Sequence, residues 1–420
     1  MCSFLTLKET KMPDGFLWGS GYAGYQVEGN NPTSNFYHYE MAGEMEELSG
    51  LACNSYAMYK DDINLVHSLG HQVFRTSIEW SRIEPVEGFF DEKAAEHYIS
   101  FFSGLKEKGM KTVCTLVHFS IPQWFNEKQA FDDIANIKYF ERYLEYIVPK
   151  ISPYIDFWNV LNEFNCQGRN PIHKMNCLEY HARGYHIIKQ YSNAPVTSAH
   201  AFIMYMPYRP NDPFDIAQAK MLDADTNEFF FHGIRTGEIV QPFTESRYSA
   251  ELKGTSDYWS INMYTRSLIN SRKYDYTQDR YMCNYMKMID KDFYLEEFYP
   301  ECIIANLTRI TDLPIYITEN GCCCDDDRFR IIYLARYLTA IKDAMALGAD
   351  VRGYLYWSLM DNYEWGSFKP KFGLCEVNRT TFERKPKDSA YFYKEIIQNN
   401  GFDNSLIKKY LPDFPNLIHY

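Results

Sequence analysis

Two apolar runs in this sequence end in a carboxylate. Phe157-Trp158-Asn159-Val160-Leu161-Asn162 leads into Glu163, and Ile315-Tyr316-Ile317-Thr318 leads into Glu319. A single Glu at a strand end is most often a salt-bridge or loop residue. Two of them, on strands that must face one another across a barrel mouth, are less easily read that way, and glycoside cleavage needs such a pair. One carboxylic acid protonates the leaving oxygen while one carboxylate attacks the anomeric carbon, the two lying roughly 5–5.5 Å apart in the retaining case. The acid must hold its proton near neutral pH while the other stays ionised, so their environments must differ.

Such a pair needs a scaffold that brings distant strand ends together. Short β-branched or aromatic runs predict strands near Phe16–Tyr22, Val73–Trp80, Thr112–Phe119, Phe157–Asn162, Val196–Phe202, Tyr258–Tyr264, Ile315–Glu319 and Gly353–Ser358. Helical stripes separate several of them: Tyr56, Tyr59, Ile63 and Val66 with Gly70 as the stop; Ile137, Phe140, Leu144 and Ile147; Leu334, Leu338, Ile341 and Met345 with Gly348 as the stop. These stripes are packing faces. Eight strands alternating with helices predict an α/β fold, a single (β/α)8 TIM barrel over 1–420, with the active site at the C-terminal ends of the strands. No linker-like segment divides the chain.

Composition limits the partners. The chain has 420 residues, 43 Lys and Arg against 55 Asp and Glu, a formal charge of −12, and no long basic block. A nucleic-acid or anionic-membrane partner is not expected; a small neutral substrate fits better. Aromatic residues make up 17%, with 35 Tyr and 29 Phe, enough for a large aromatic core or for ring faces that meet the C–H face of a sugar. Met1 to Gly15 lacks a long apolar stretch and carries Lys8, Glu9 and Lys11, so it does not read as a signal peptide. No run approaches the ~20 apolar residues of a membrane span. Eleven Cys is an odd number, which suits reduced thiols in a cytoplasmic protein. Cys322-Cys323-Cys324 lacks the usual zinc spacings. Neither a metal nor a cofactor is expected, and the sequence leaves the oligomeric state open.

In order along the chain stand Phe16-Leu17-Trp18-Gly19, Tyr25-Gln26-Val27-Glu28-Gly29, Phe74-Arg75-Thr76-Ser77-Ile78-Glu79-Trp80-Ser81-Arg82-Ile83, Asn162-Glu163, Thr318-Glu319-Asn320-Gly321, Trp357-Ser358-Leu359-Met360-Asp361-Asn362-Tyr363-Glu364-Trp365 and Phe372-Gly373-Leu374. With these motifs the sequence resembles glycoside hydrolase family 1, the β-glucosidase and β-galactosidase family, over almost its whole length. The resemblance implies a retaining mechanism with Glu163 as acid/base and Glu319 as nucleophile. It implies that Asn162 grips the sugar 2-hydroxyl, that Arg75 and Tyr264 support the nucleophile, and that Gln26, His118, Asn262, Glu364, Trp365 and Phe372 contact the sugar above Trp357 as platform. Taken one at a time, Arg75 reads equally as a buried ion pair, Asn262 as a strand-end cap and His118 as a core histidine.

The sequence departs from the family in places. Phe164 stands where Pro usually follows the acid, which loosens a backbone restraint. Phe119 and Ser120 follow His118 where a Trp is common. The segments Asn165–Pro171 and Asn30–Leu51 are short, suggesting an open leaving-group side, with Tyr205, Tyr208, Trp124 and Phe125 as candidates to line it. Retention of Glu364 argues against a 6-phosphorylated sugar, with Lys369 and Lys371 nearby as the counterweight. The expected activity is hydrolysis of terminal unphosphorylated β-glucosides, galactosides or fucosides; the alternatives are transfer of the same glycosyl group to an alcohol, sugar or lipid, a 6-phospho-β-glycosidase, or a non-catalytic sugar-binding protein.

Overall fold

The computed structural model describes residues 7–166, 170–272 and 297–414. Residues 1–6 of the leading segment and 167–169 of the loop after Glu163, both read above, lie outside the described residues.

All eight predicted strands are present: β1 Leu17–Gly21, β2 Val73–Ser77, β3 Lys111–Val117, β4 Phe157–Asn162, β5 Val196–Ala201, β6 Trp259–Asn262, β7 Ile315–Asn320 and β8 Val351–Trp357. Each pairs in parallel with its neighbours in chain order, and β8 closes on β1 to complete a barrel. Several ladders stop earlier than the apolar runs suggest. The run Val73–Trp80 leaves the sheet after Ser77, and Thr112–Phe119 leaves it after Val117. Beyond β3 and β4 the backbone turns: Phe119 and Glu163 take left-handed φ values of 66° and 45°, a conformation that ends a strand.

The helices that pack around the barrel follow the stripes. They include α1 Ser55–Ser68, α2 Glu92–Glu107, α3 Ile137–Ile151, α4 Pro171–Tyr191, α5 Pro213–Asp223, α6 Phe229–Thr236 and α7 Asp327–Ala346. Gly70, at φ 76°, closes the turn after α1 as its position predicts. Between α5 and α6 a π-helical turn covers Ala224–Glu228. The high aromatic content serves mainly this layer. Trp18, Trp80, Trp158 and Trp259 are fully buried, and Trp80 stacks on Tyr143 of α3 at 4.8 Å. Short pairs decorate the barrel, among them the parallel Met204–Pro207 with Arg266–Ile269. No described helix is long and apolar enough to cross a membrane.

Two strands carry irregularities that bear on function. Along β7, Ile317 faces Ile261 of β6, yet Glu319 faces the next residue, Asn262. Along β4, Asn159 faces Thr197 while Asn162 faces Ala199. Each strand thus holds one residue more than its partner immediately before a carboxylate. A bulge of this kind re-aims the side chains that follow it and is common beside active sites.

Candidate active site

The bulges bring Glu163 and Glu319 into one cavity of about 540 Å3, also lined by His118, Phe119, Asn162, Asn262, Tyr264, Trp357, Glu364, Trp365 and Phe372. That size suits a small ligand, whose sites run ~300–1,000 Å3. The β7 bulge turns both Thr318 and Glu319 to useful partners: Thr318 Oγ1 donates to Asn262 Oδ1 at 2.8 Å. After Glu319, the chain passes tightly against β8. A Cβ on Gly321 would stand 1.9 Å from the Trp357 carbonyl oxygen, so only glycine fits.

Arg75, 1% exposed on β2, is the hub. Its Nη1 forms a salt bridge with Glu319 Oε1. Its Nη2 donates to Asn162 Oδ1 at 2.6 Å, and its Nε donates to Thr115 Oγ1 at 3.2 Å. The second carboxylate oxygen of Glu319 accepts from the Tyr264 hydroxyl at 2.7 Å. A buried charge survives only when paired and hydrogen-bonded, and Glu319 has a charged partner on one oxygen and a neutral donor on the other.

Glu163 has a different setting. Asn262 Nδ2 donates to its Oε1 at 2.8 Å, and no cation pairs with it among the described residues. Burial, with the charge of Glu319 as second cause, pushes its carboxyl up to about 7 from the ordinary 4.5. Because Asn162 Oδ1 already accepts from Arg75, its amide nitrogen is the donor toward His118 Nε2, 3.1 Å away. His118 is therefore the tautomer protonated on Nδ1. Burial first, and then the Arg75 charge, hold the ring neutral.

On the opposite side Gln26, fully buried, donates through Nε2 to Glu364 Oε2 at 2.9 Å, while its Oε1 has no hydrogen-bond partner among the described residues. A buried acceptor left open in this way is costly unless a ligand fills it. The His118 ring stacks nearly parallel to Trp357 and Trp365, at 5.8 and 6.0 Å. Phe372 packs with Trp357 and, edge-on, with Tyr264.

Every residue singled out in the sequence for this site thus lies in one connected cluster. The candidates for the outer wall do not. Phe125 is fully buried beside Trp80, and Trp124 donates to the Glu84 carbonyl, so both belong to the packing around α3. Tyr205 packs with Ala219, Leu222 and Ile269, and Tyr208 is exposed. None of the four lines the cavity, whose remaining lining includes Cys166, Phe202, Ile203, Met263, Thr265 and Ser267. Phe164, in place of the usual Pro, does not leave the turn loose: it is 4% exposed and packs against Phe229 and Phe230 of α6. Next to it, Asn165 donates to the Ala201 and Thr226 carbonyls and accepts from the Ala201 amide. Lys369 pairs with Glu46 and Lys371 with Asp325 on the exposed rim. In the Cys run, Cys322 and Cys324 face each other with sulfurs 3.5 Å apart, while Cys323 packs against the Trp357 cluster. The parts played by Thr115 and Thr318 carry no signal in the sequence, because an alternating strand pattern gives no sign of a partner on a neighbouring strand; Cys166, in the turn after β4, carries none either.

The sequence model described as Glycosyl hydrolase family 1 matches residues 8–402. Among curated relatives, a β-galactosidase of Saccharolobus solfataricus is 27% identical, over 94% of this chain and 96% of its own length. A 6-phospho-β-galactosidase of Staphylococcus epidermidis is also 27% identical, over 93% and 98%. Among solved structures, a β-glycosidase from Pyrococcus horikoshii superposes with a TM-score of 0.83 at 31% identity, covering 96% of this chain and 99% of that one. With this barrel, this paired-carboxylate cavity and a family match across nearly its whole length, the chain belongs to glycosyl hydrolase family 1 and is a glycosyl hydrolase.

Proposed function

We propose that the chain is one catalytic domain, a retaining, exo-acting β-glycosidase that hydrolyses terminal unphosphorylated β-glucosides or β-galactosides, β-fucosides included. The observation that carries this reading is the contrast between the two carboxyls of one cavity. Glu163 is pushed up to about 7 and so is about half protonated at neutrality; Glu319 is salt-bridged to Arg75 and accepts from Tyr264. Glu163 then protonates the glycosidic oxygen as Glu319 attacks the anomeric carbon, forming a glycosyl ester. Water then attacks the anomeric carbon and releases the Glu319 carboxylate, while Glu163, now a carboxylate, takes the water's proton. Asn162, fixed by Arg75 and His118, is placed to meet the sugar 2-hydroxyl, where a contact that strengthens in the transition state accelerates the reaction. Trp357 supplies the ring platform, and Gln26 and Glu364 the outer hydroxyl contacts.

The unphosphorylated preference rests on Glu364, which lines the cavity, whereas Lys369 and Lys371 pair with acidic residues on the rim. A carboxylate accepts two hydroxyl hydrogen bonds but repels a phosphate dianion. The apolar lining residues Phe202, Ile203 and Met263 favour a second outcome, glycosyl transfer to an alcohol; the ratio of transfer to hydrolysis with added alcohol measures it.

The deciding experiment is Glu319→Ala with azide or formate. Turnover of a nitrophenyl β-glycoside should nearly vanish, then return with the small anion and yield an α-configured product, because the anion occupies the space beside the anomeric carbon. Retention of most unassisted activity would refute the nucleophile assignment.

A further inference from the structure

Glu163 opens a tight turn. The Cys166 amide donates to the Glu163 carbonyl at 3.2 Å, and Glu163 takes the left-handed conformation. This i→i+3 closure folds the Cys166 side chain back over the Glu163 carboxyl, with Sγ 3.6 Å from Oε2. Phe164 and Asn165 lock the turn from below, as described. Cys166 is half-buried and lines both the catalytic cavity and an adjoining one formed with Phe119 and Trp365. We propose that Cys166 is a positioning residue for the acid/base: its thiol donates to Oε2 of Glu163 while Asn262 holds Oε1, so the carboxyl is gripped through both oxygens in the plane that meets the leaving group.

The chemistry supports a directional effect. A thiol is a weak donor, and its bond strengthens when the acceptor oxygen is charged. It therefore favours the carboxylate form of Glu163, as the Asn262 amide does, and opposes the rise caused by burial and by Glu319. The other groups facing this carboxyl are Arg75 from β2 and Tyr264 beyond β6; Arg75 acts downward with Cys166, and the Tyr264 phenol is held neutral, chiefly by burial and then by Glu319. Cys166 thus serves both half-reactions. It limits how tightly the acid holds its proton in the first, and it steadies the base in the second.

The inference rests on Glu163 being the acid/base, so the test separates the two. In the wild-type background, Glu163→Gln should slow poor leaving groups far more than activated phenols; if it does not, the acid/base reading fails, and the inference with it. With that control passed, the alkaline limb of kcat/KM is compared in wild type, Cys166→Ala and Cys166→Ser. The expected result is an upward move of about half a pH unit in Cys166→Ala, the size of one weak hydrogen bond, and no upward move in Cys166→Ser, which keeps a donor. Turnover limited by hydrolysis of the glycosyl-enzyme should fall about three- to tenfold in Cys166→Ala and recover in Cys166→Ser. An unmoved limb in Cys166→Ala, or the same loss in Ala and Ser variants, would overturn the proposal and leave Cys166 as wall only.

Discussion

Replacing Glu319 with Gln keeps the shape of the site and removes one negative charge from beside Glu163. The rise of Glu163 from 4.5 to about 7 comes first from burial and second from that charge, and is opposed by Asn262, Arg75 and Cys166. Two charges about 5.5 Å apart, the separation retaining enzymes use, interact by about 3 kcal/mol at an effective dielectric of ~20, equivalent to roughly two pH units. Arg75, salt-bridged to Glu319, cancels part of this, and burial outranks it. Glu163 in Glu319→Gln should therefore titrate about one pH unit lower, at about 6. The assay needs no turnover: the carboxyl 13C resonance of labelled Glu163 is followed against pH in both proteins, with Glu163→Gln assigning the signal. A midpoint that stays put or moves upward would refute the reasoning, since it would mean that the two carboxyls do not sense one another. The result also bears on the reaction cycle. In the proposed cycle, esterification of Glu319 erases the same charge, so Glu163 would lose proton affinity at the step where it is to act as base.

Glu163→Gln should spare substrates with activated phenol leaving groups in the first step, giving a burst, while nearly abolishing turnover of alkyl glycosides; leaving-group-independent loss would mark a structural role. The same variant should gain stability at high pH. The folded-state pKa lies above the unfolded one, so the carboxyl contributes most below about 4.5 and its contribution is lost as pH rises through about 7. Chemical denaturation at pH 8 should show a gain of about 2 kcal/mol, scaled down for the partial solvent contact of Glu163, shrinking at pH 5; no pH dependence in the gain would contradict it. Glu364→Ser should lower kcat/KM for a plain β-galactoside by about tenfold or more, the scale of one charge-assisted hydrogen bond, and narrow the gap to its 6-phosphate. If wild type already prefers the phosphate, the substrate assignment falls and the two catalytic ones stand.

Much of this site was legible because its chemistry is concentrated at strand ends. Glu163 and Glu319 are visible as carboxylates closing apolar runs, and the eight runs suffice to predict the barrel. The supporting cast is a different matter. Arg75, in the middle of β2, is surrounded by apolar and small residues that read as an ordinary buried strand; the family motif, not periodicity, marks it. The bulges in β4 and β7 leave no trace in a period-two pattern, since an inserted residue is seen only against its partner strand. Trp124 and Phe125 misled because an aromatic near a strand end suits a pocket wall and a helix interface equally. The side of the residue is settled by α3, which packs over both with Tyr139.

The turn after Glu163 has traded one kind of restraint for another. A proline stiffens the chain whether folded or not. Phe164 and Asn165 restrain it only through contacts, and those contacts reach the α5–α6 connection. There, the π-turn presents the Thr226 carbonyl to Asn165, while Phe229 and Phe230 receive the Phe164 ring. The orientation of Glu163 is thereby tied to the outer layer of the barrel. A substitution at Phe230, which does not line the cavity, should therefore disturb the turn that aims Glu163.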